Sequence, residues 1–361
     1  MFENSDVAVL GGGNCAHSLS CHLSKSGYSV HLWARNLEHL DKTERKNLTI
    51  NAYGKMEGSF KLASENDDLE KTVKNCPIIF VAAVTTAYAD IASKLAPFLS
   101  DNQLIVVFSS KLAGSALFEQ TILKARPDLQ GKITVCETDA LFASRIQPDG
   151  RLWVRGIKKW NLVSAPNRQE LNKALPVMQE IFEGLLPADN IIQRGLTDFG
   201  ALAHPLTMIA NMNRIDRAEP FLFYVDGFTE NTIVLMEALE KEFQAVAAAY
   251  GTSLLPATKW LDNYYGCDTS SLLKAMRTVP NYQTSMAPNK LDFRYIKEDV
   301  SCTLVPLHYL ASLADVPTPI ADAIITFASI LDHEDFLTTG RTLDKLGWAN
   351  LTAEQIKERI S

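Results

Sequence analysis

The feature that most constrains this chain lies close to its N-terminus. A short run, Val7-Ala8-Val9-Leu10, passes directly into Gly11-Gly12-Gly13-Asn14-Cys15-Ala16. This is a G-x-G-x-x-A pattern set between a predicted strand and a predicted helix. Gly11 permits the tight turn, Gly13 removes a side chain where a pyrophosphate must approach, and Ala16 keeps the helix close to the sheet. The unpaired N–H groups of the helix N-terminus then favour phosphate. Such a loop needs a parallel sheet behind it, and β-branched runs recur at residues 30–33, 78–82, 104–108 and 133–136, spaced for crossover helices. That alternation predicts an α/β, doubly wound parallel sheet. Two further runs, 152–155 and 159–164, flank Gly156 and predict an antiparallel hairpin that completes the sheet.

With 361 residues, 47% of them hydrophobic, the chain has room for two cores. Strand signals fade from Asp189 onward, and Met236, Leu239, Phe243, Val246 and Tyr250 recur at helical spacing before a stop at Gly251. The boundary is placed within residues 186–190, giving a dinucleotide-binding domain over 1–187 and a helical domain over 188–361. A balance of 35 Lys+Arg against 42 Asp+Glu gives a net charge of −7, which argues against a general binder of nucleic acid or anionic membranes. The opening MFENSDVAVL shows neither a leader nor a membrane span. The six cysteines form no C-x-x-C pair and read as reduced thilos of a cytoplasmic protein, so the expected partners are small molecules. Cys15, His17, Cys21 and His22 cluster locally, but they lie in the phosphate loop and the helix after it, and no metal site is expected there.

Cofactor choice is read at the end of the second strand, where a carboxylate would accept from the ribose 2′-OH of NAD. The sequence there is His31-Leu32-Trp33-Ala34-Arg35-Asn36. No acid is present, and Arg35 is suited to a 2′-phosphate, with Asn36 a weaker candidate. This favours NADP(H) over NAD(H). Val84 and Thr85, after the third core strand, are placed to line the same site. The cofactor candidates are therefore Gly11, Gly13, Asn14, Cys15, Ala16, Ala34, Arg35, Asn36, Val84 and Thr85.

Two segments of the second half carry catalytic candidates. His204 lies in the apolar stretch Gly200-Ala201-Leu202-Ala203-His204-Pro205-Leu206, and by itself reads as well as a core residue as a catalyst. The second segment is Arg294-Tyr295-Ile296-Lys297-Glu298-Asp299-Val300, in which Asp299 could equally cap a helix N-terminus. A carboxylate substrate wants a bidentate arginine, and hydride transfer wants a histidine oriented by a carboxylate. Arg294, His204 and Asp299 supply these three groups. Phe221, Phe223, Tyr224, Trp260, Tyr264 and Tyr265 offer apolar walls that suit an apolar or aromatic amine and are equally ordinary helix-core residues.

Through VAVLGGGNCAHSLS, AHPLTMIAN, FRYIKEDVSCTLVPL, DVPTPIADAI and GRTLDKLG, the chain resembles the opine dehydrogenase family of octopine and nopaline type, and within it the norvaline-type members. The resemblance spans essentially the whole chain. It implies a Rossmann-type domain followed by an all-helical domain, often in a homodimer. It also implies that His204 is the general acid/base, Asp299 its partner and Arg294 a ligand for the substrate carboxylate. The reaction implied is NAD(P)H-dependent condensation of an amino acid or amine with a 2-oxo acid such as pyruvate. Two positions depart from the family pattern: GGGNCA stands where relatives commonly have GNG, and Ala34-Arg35 replaces the acidic position of NAD-using relatives. The alternatives are a ketone reductase of glycerol-3-phosphate or ketopantoate reductase type, which would rely on a lysine, and a non-catalytic NADP(H)-binding sensor.

Overall fold

The computed structural model describes residues 5–37 and 47–361, so the first four residues of the N-terminal reading lie outside the described residues. The contacts divide the chain into two units. One comprises Met1–Ser110 and Gly114–Pro187, the other Lys111–Ala113 and Ala188–Ser361. Three residues that a single cut at 187/188 assigns to the first unit thus pack in the second.

In the first unit β1 (Asp6–Leu10), β2 (Ser29–Trp33), β6 (Ile78–Val81), β7 (Leu104–Phe108) and β8 (Thr134–Thr138) are parallel neighbours in one eight-stranded sheet. Its order is β12-β11-β8-β7-β6-β1-β2-β5: β5 (Ser64–Asn66) extends the parallel run beyond β2, whereas β11 (Asn161–Ser164) reverses direction against β8 and carries β12 (Leu185–Pro187) parallel to itself. Strands β6 and β7 are buried along their whole length, which is why their sequences are unbroken apolar runs rather than alternating ones. From β1 the chain runs to β2 on one side and later returns to β6 on the other. The carboxyl ends of β1 and β6 therefore flank the topological switch point, where open α/β sheets bind ligands.

The predicted hairpin is not formed. β10 (Leu152–Ile157) pairs antiparallel with β9 (Phe142–Ile146) and parallel with β3 (Thr49–Gly54), in a separate four-stranded sheet ordered β4-β3-β10-β9, with β4 at Gly58–Lys61. β11 instead joins the main sheet, antiparallel to β8. Gly156 is not a turn residue: it lies inside β10, where the register with β9 slips between Val154 and Gly156. The turn is upstream, where Gly150 adopts φ +82° and its N–H donates to the Gln147 carbonyl at 3.0 Å.

The rings of Phe80, Phe108 and Phe182 pack at centroid distances of 5.6–6.4 Å, and Phe142 of the second sheet stacks on Phe108. His22 belongs to this core. Its ring stacks on Phe182, Nε2 hydrogen-bonds the Ile181 carbonyl at 2.8 Å, and burial lowers its pKa. All six cysteines are free thiols, four of them buried, and burial pushes Cys76 up to about 12.

The second unit is built of helices. The longest, Glu230–Ala249, starts in a reciprocal Thr229–Thr232 capping box, buries Met236, Leu239, Phe243 and Val246, and is followed by Gly251 at φ +75°. Its buried Glu242 carboxylate accepts from the N–H groups of Ile320 and Ala321 at 2.7 and 2.9 Å. The carboxylate thereby fixes the start of the helix Pro319–Asp332.

Gly11 and Gly13 play separable roles. Gly11 has φ +149°, and a Cβ there would stand 2.2 Å from the Ala82 carbonyl oxygen, whereas a Cβ on Gly13 meets nothing within 4 Å. Gly11→Ala is expected to lower stability by at least about 2 kcal/mol, and Gly13→Ala by less than about 1 kcal/mol. Urea denaturation of the two variants checks this, and equal stabilities would refute the steric assignment.

Candidate functional site

Within the helical unit, residues far apart in sequence converge on His204. The helix Phe199–Ala210 carries it, and Asp198 caps that helix by accepting from the Ala201 N–H at 3.2 Å. Asp299 is the last residue of the short helix Arg294–Asp299, not an N-cap. A π-helical turn, Val300–Leu304, follows it, one turn ahead of Pro306, which has no N–H to return to the Cys302 carbonyl. This arrangement brings Asp299 Oδ2 to 2.8 Å from His204 Nδ1.

Asp299 is 2% exposed. Burial opposes its ionisation, but the Lys111 ammonium and His204 outweigh that and hold the carboxyl at about 2. An ionised carboxylate only accepts hydrogen bonds, so the proton of this contact sits on Nδ1. Whenever the ring is uncharged, Nε2 is then an acceptor, and the Tyr224 hydroxyl 2.6 Å away is its donor. Burial, followed by neighbouring Tyr295 and Tyr282, raises the Tyr224 pKa well above its ordinary value, so it remains a phenol. Tyr295 stacks on the imidazole at 3.9 Å with planes 15° apart, and Tyr282 stacks on Tyr224 at the same separation. Ring position and tautomer are thus both fixed.

Sequence reasoning did not find Lys111. Its ammonium contacts Asp299 Oδ1 and lies 2.8 Å from both carboxylate oxygens of Asp198, while Thr303 Oγ1 donates to Asp198 Oδ2 at 3.0 Å. The local sequence Ser109-Ser110-Lys111-Leu112 reads as an ordinary loop and carries no signal for this role. Gly200 makes room for the group: a Cβ there would fall 3.0 Å from Lys111 Nζ and 3.1 Å from His204 Nδ1.

Arg294 is placed differently. Its half-exposed guanidinium lies 3.5 Å from the buried Glu298 carboxylate, and none of the hydrogen bonds that organise His204 and Asp299 is made by it. Of the aromatic candidates, Phe223 and Tyr224 lie against His204, with ring centroids 5.9 Å away, whereas Trp260 and Tyr264 are fully buried core side chains.

In the first unit the switch point carries the cofactor candidates. Gly13 precedes the helix Asn14–Lys25, whose N-terminus has no side-chain cap, leaving its first N–H groups for an anion. Asn14 Oδ1 accepts from the Ile146 N–H at 2.8 Å, tying the loop to β9, and Ala16 is buried beside Gly11. Cys15 is half-buried. After β2, Ala34 is buried while Arg35 and Asn36 are exposed. After β6, Val84 is 44% exposed, and the buried Thr85 hydroxyl finds no hydrogen-bond partner among the described residues. The open space at Gly13, the uncapped helix and this orphaned hydroxyl fit a dinucleotide.

Residues 187–331 match the family model described as the alpha-helical domain of NAD/NADP octopine/nopaline dehydrogenase. Residues 6–130 match the N-terminus of NAD-dependent glycerol-3-phosphate dehydrogenase. Over 100% of both chains, the protein is 28% identical to an opine dehydrogenase of Arthrobacter sp. (strain 1C). A solved octopine dehydrogenase in complex with NADH and agmatine has a TM-score of 0.76 at 21% identity, covering 98% of this chain and 97% of that one. NADP+-bound yersinopine dehydrogenase has a TM-score of 0.71 at 16% identity, covering 99% of each chain. At these identities the two structures establish the fold. Among the described residues, no helix is long and apolar enough to cross a membrane.

The lowered Asp299 pKa has a consequence for stability. Its contribution is fully present above the unfolded carboxyl value, near pH 4, and is lost as pH falls through the folded value of about 2. Asp299→Asn should cost on the order of 2 kcal/mol at pH 7, with the difference from wild type shrinking between about pH 4 and pH 2. Denaturant titrations across that range check it, and a pH-independent difference would contradict the assignment.

Proposed function

We propose that this chain is a member of the opine dehydrogenase family and catalyses an NAD(P)H-dependent reductive condensation. The amine of an amino acid, or a related amine, joins the carbonyl carbon of a 2-oxo acid with loss of water. The resulting imine is reduced at that carbon to a secondary amine, which carries two carboxylates when the amine is an amino acid. The observation that carries this reading is the 2.8 Å hydrogen bond between His204 Nδ1 and Asp299 Oδ2, drawn from segments 95 residues apart. The solved relative holding NADH and agmatine supports a nucleotide and an amine as ligands of that fold.

When bound, the nicotinamide supplies the hydride. The chain's own residues handle carboxylate and proton. Arg294, half-exposed on the helix that carries Asp299, holds a substrate carboxylate through a charge-assisted fork. His204 accepts and returns a proton at Nε2, where the Tyr224 hydroxyl stands in the substrate-free protein, and Asp299 stabilises the imidazolium that forms. Stacked Tyr295 and buried Phe223 keep water from the ring.

Gly11, Gly13, Asn14, Cys15 and Ala16 hold the pyrophosphate, with Val84 and Thr85 beside it. Ala34, Arg35 and Asn36 receive the adenosine ribose. With no acid at the end of β2 and an exposed arginine instead, NADP(H) is the preferred cofactor and NAD(H) the weaker one. The free thiols suit a cytoplasmic setting, and the family resemblance suggests a homodimer. A lysine-based ketone reductase is the less favoured reading, because the Lys111 ammonium is already taken by two carboxylates.

NADPH oxidation should require both pyruvate and an amine, and His204→Ala should cut turnover by roughly 10²- to 10⁴-fold with folding intact. Near wild-type rates in that variant would remove His204 from the mechanism. Arg35→Ala should raise KM for NADPH at least about tenfold while changing KM for NADH little. An equal effect on both cofactors would rule out a 2′-phosphate contact.

A further inference from the structure

The segment Lys111–Ala113 packs in the helical unit although the chain on either side of it belongs to the other. Its placement is heavily enforced. Ser109 and Ala113, both non-glycine, adopt left-handed φ values of +77° and +57° around it, a conformation that is strained for any residue but glycine. Buried Arg194 and Arg341 donate to the Lys111 and Leu112 carbonyls at 3.1 and 2.6 Å. A Cβ on Gly195 would stand 2.4 Å from Leu112 Cδ1. Backbone strain, two buried guanidinium groups and a close glycine contact together place one ammonium between two carboxylates.

We propose that Lys111 is a positioning residue for the reaction: clamped between Asp198 and Asp299, it fixes the carboxylate behind His204 and cancels one of the two negative charges facing that ring. Asp299 has two oxygens, and Lys111 takes Oδ1, so that only Oδ2 is left to receive His204 Nδ1–H. The remaining charges around the pair are few. From the helix Arg294–Asp299 come Arg294, Glu298 and Tyr295, with the Glu298 carboxyl pushed up by burial. Tyr224 and Tyr282 face the site as phenols whose pKa values burial raises. Asp198 heads the His204 helix, and Thr303 binds it from the π-helical turn.

With Lys111 present, Asp198 and Asp299 leave one uncompensated negative charge near the imidazole; without it they leave two. A second unscreened charge in a buried site strengthens the hold on the imidazolium proton, and a base that cannot release its proton turns over slowly. Lysine suits the task because a compact ammonium satisfies two carboxylates at once.

This inference rests on His204 being the acid/base. Its test is an NMR titration of the His204 ring in the full-length protein, with the resonance assigned by its loss in His204→Ala, and needs no turnover. In Lys111→Met the protonation midpoint of the ring should move up by about one pH unit or more. In the double variant Lys111→Met/Asp198→Asn, which removes one positive and one negative charge together, the midpoint should return to within a few tenths of wild type. The kcat/KM pH profile should move with it. Asn is a good helix cap, so the second substitution preserves the start of the His204 helix. An unmoved midpoint in Lys111→Met, or no recovery in the double variant, would overturn the role of Lys111. Activity surviving in His204→Ala would instead overturn the acid/base assignment and leave the measured charge effect standing.

Discussion

The buried charge group of Lys111, Asp198, Asp299 and His204 is the constraint on which the rest of the helical unit depends. Ion pairs that leave water lose much of their hydration energy, so such a group is a poor way to gain stability. What it provides is definition. Asp198 performs two tasks, capping the helix that bears His204 and accepting the lysine. Asp299 performs two as well, receiving the lysine on one oxygen and the imidazole on the other. Neither carboxylate can move without breaking a second contact, so the imidazole is held in one tautomer before any ligand arrives.

The surrounding aromatic residues follow from that. An imidazole stacked on Tyr295 and hydrogen-bonded to Tyr224 has lost its rotational freedom as well as its choice of tautomer. Tyr224 is itself fixed by stacking on Tyr282. The aromatic residues thus wall the imidazole, and rings that read in sequence as helix-core residues also pack around His204. Trp260 and Tyr264, which read identically, are fully buried in the helical unit.

The sequence was legible where one element specifies its own role. The glycine turn after β1 is a local steric problem: Gly11 faces the Ala82 carbonyl, and no other residue fits. Strands β6 and β7 are apolar throughout because both faces of the sheet are covered there, and they stand out for that reason. Strands β3, β4, β5 and β9 stand out less because they mix polar and apolar residues and are in part exposed, as in Gly58-Ser59-Phe60-Lys61. Gly156 was misread as a turn because a glycine between two β-branched runs looks the same in a bulge as in a hairpin. His204 and Asp299 were legible only as a pair, through a recognisable pattern at each. Lys111 belongs to no such pattern, since its meaning comes entirely from carboxylates 87 and 188 residues away (198 − 111 and 299 − 111).

The helix Arg294–Asp299 shows how a short element can separate two chemical duties. Five residues apart on an α-helix means a rotation of about 140°, so Arg294 and Asp299 cannot point the same way. Asp299 points into the protein, where burial and Lys111 define its charge, while Arg294 remains half-exposed and within reach of solvent. Glu298, between them in sequence, is buried and lies 3.5 Å from that guanidinium. The short helix thus carries one buried charge and one accessible charge on different faces.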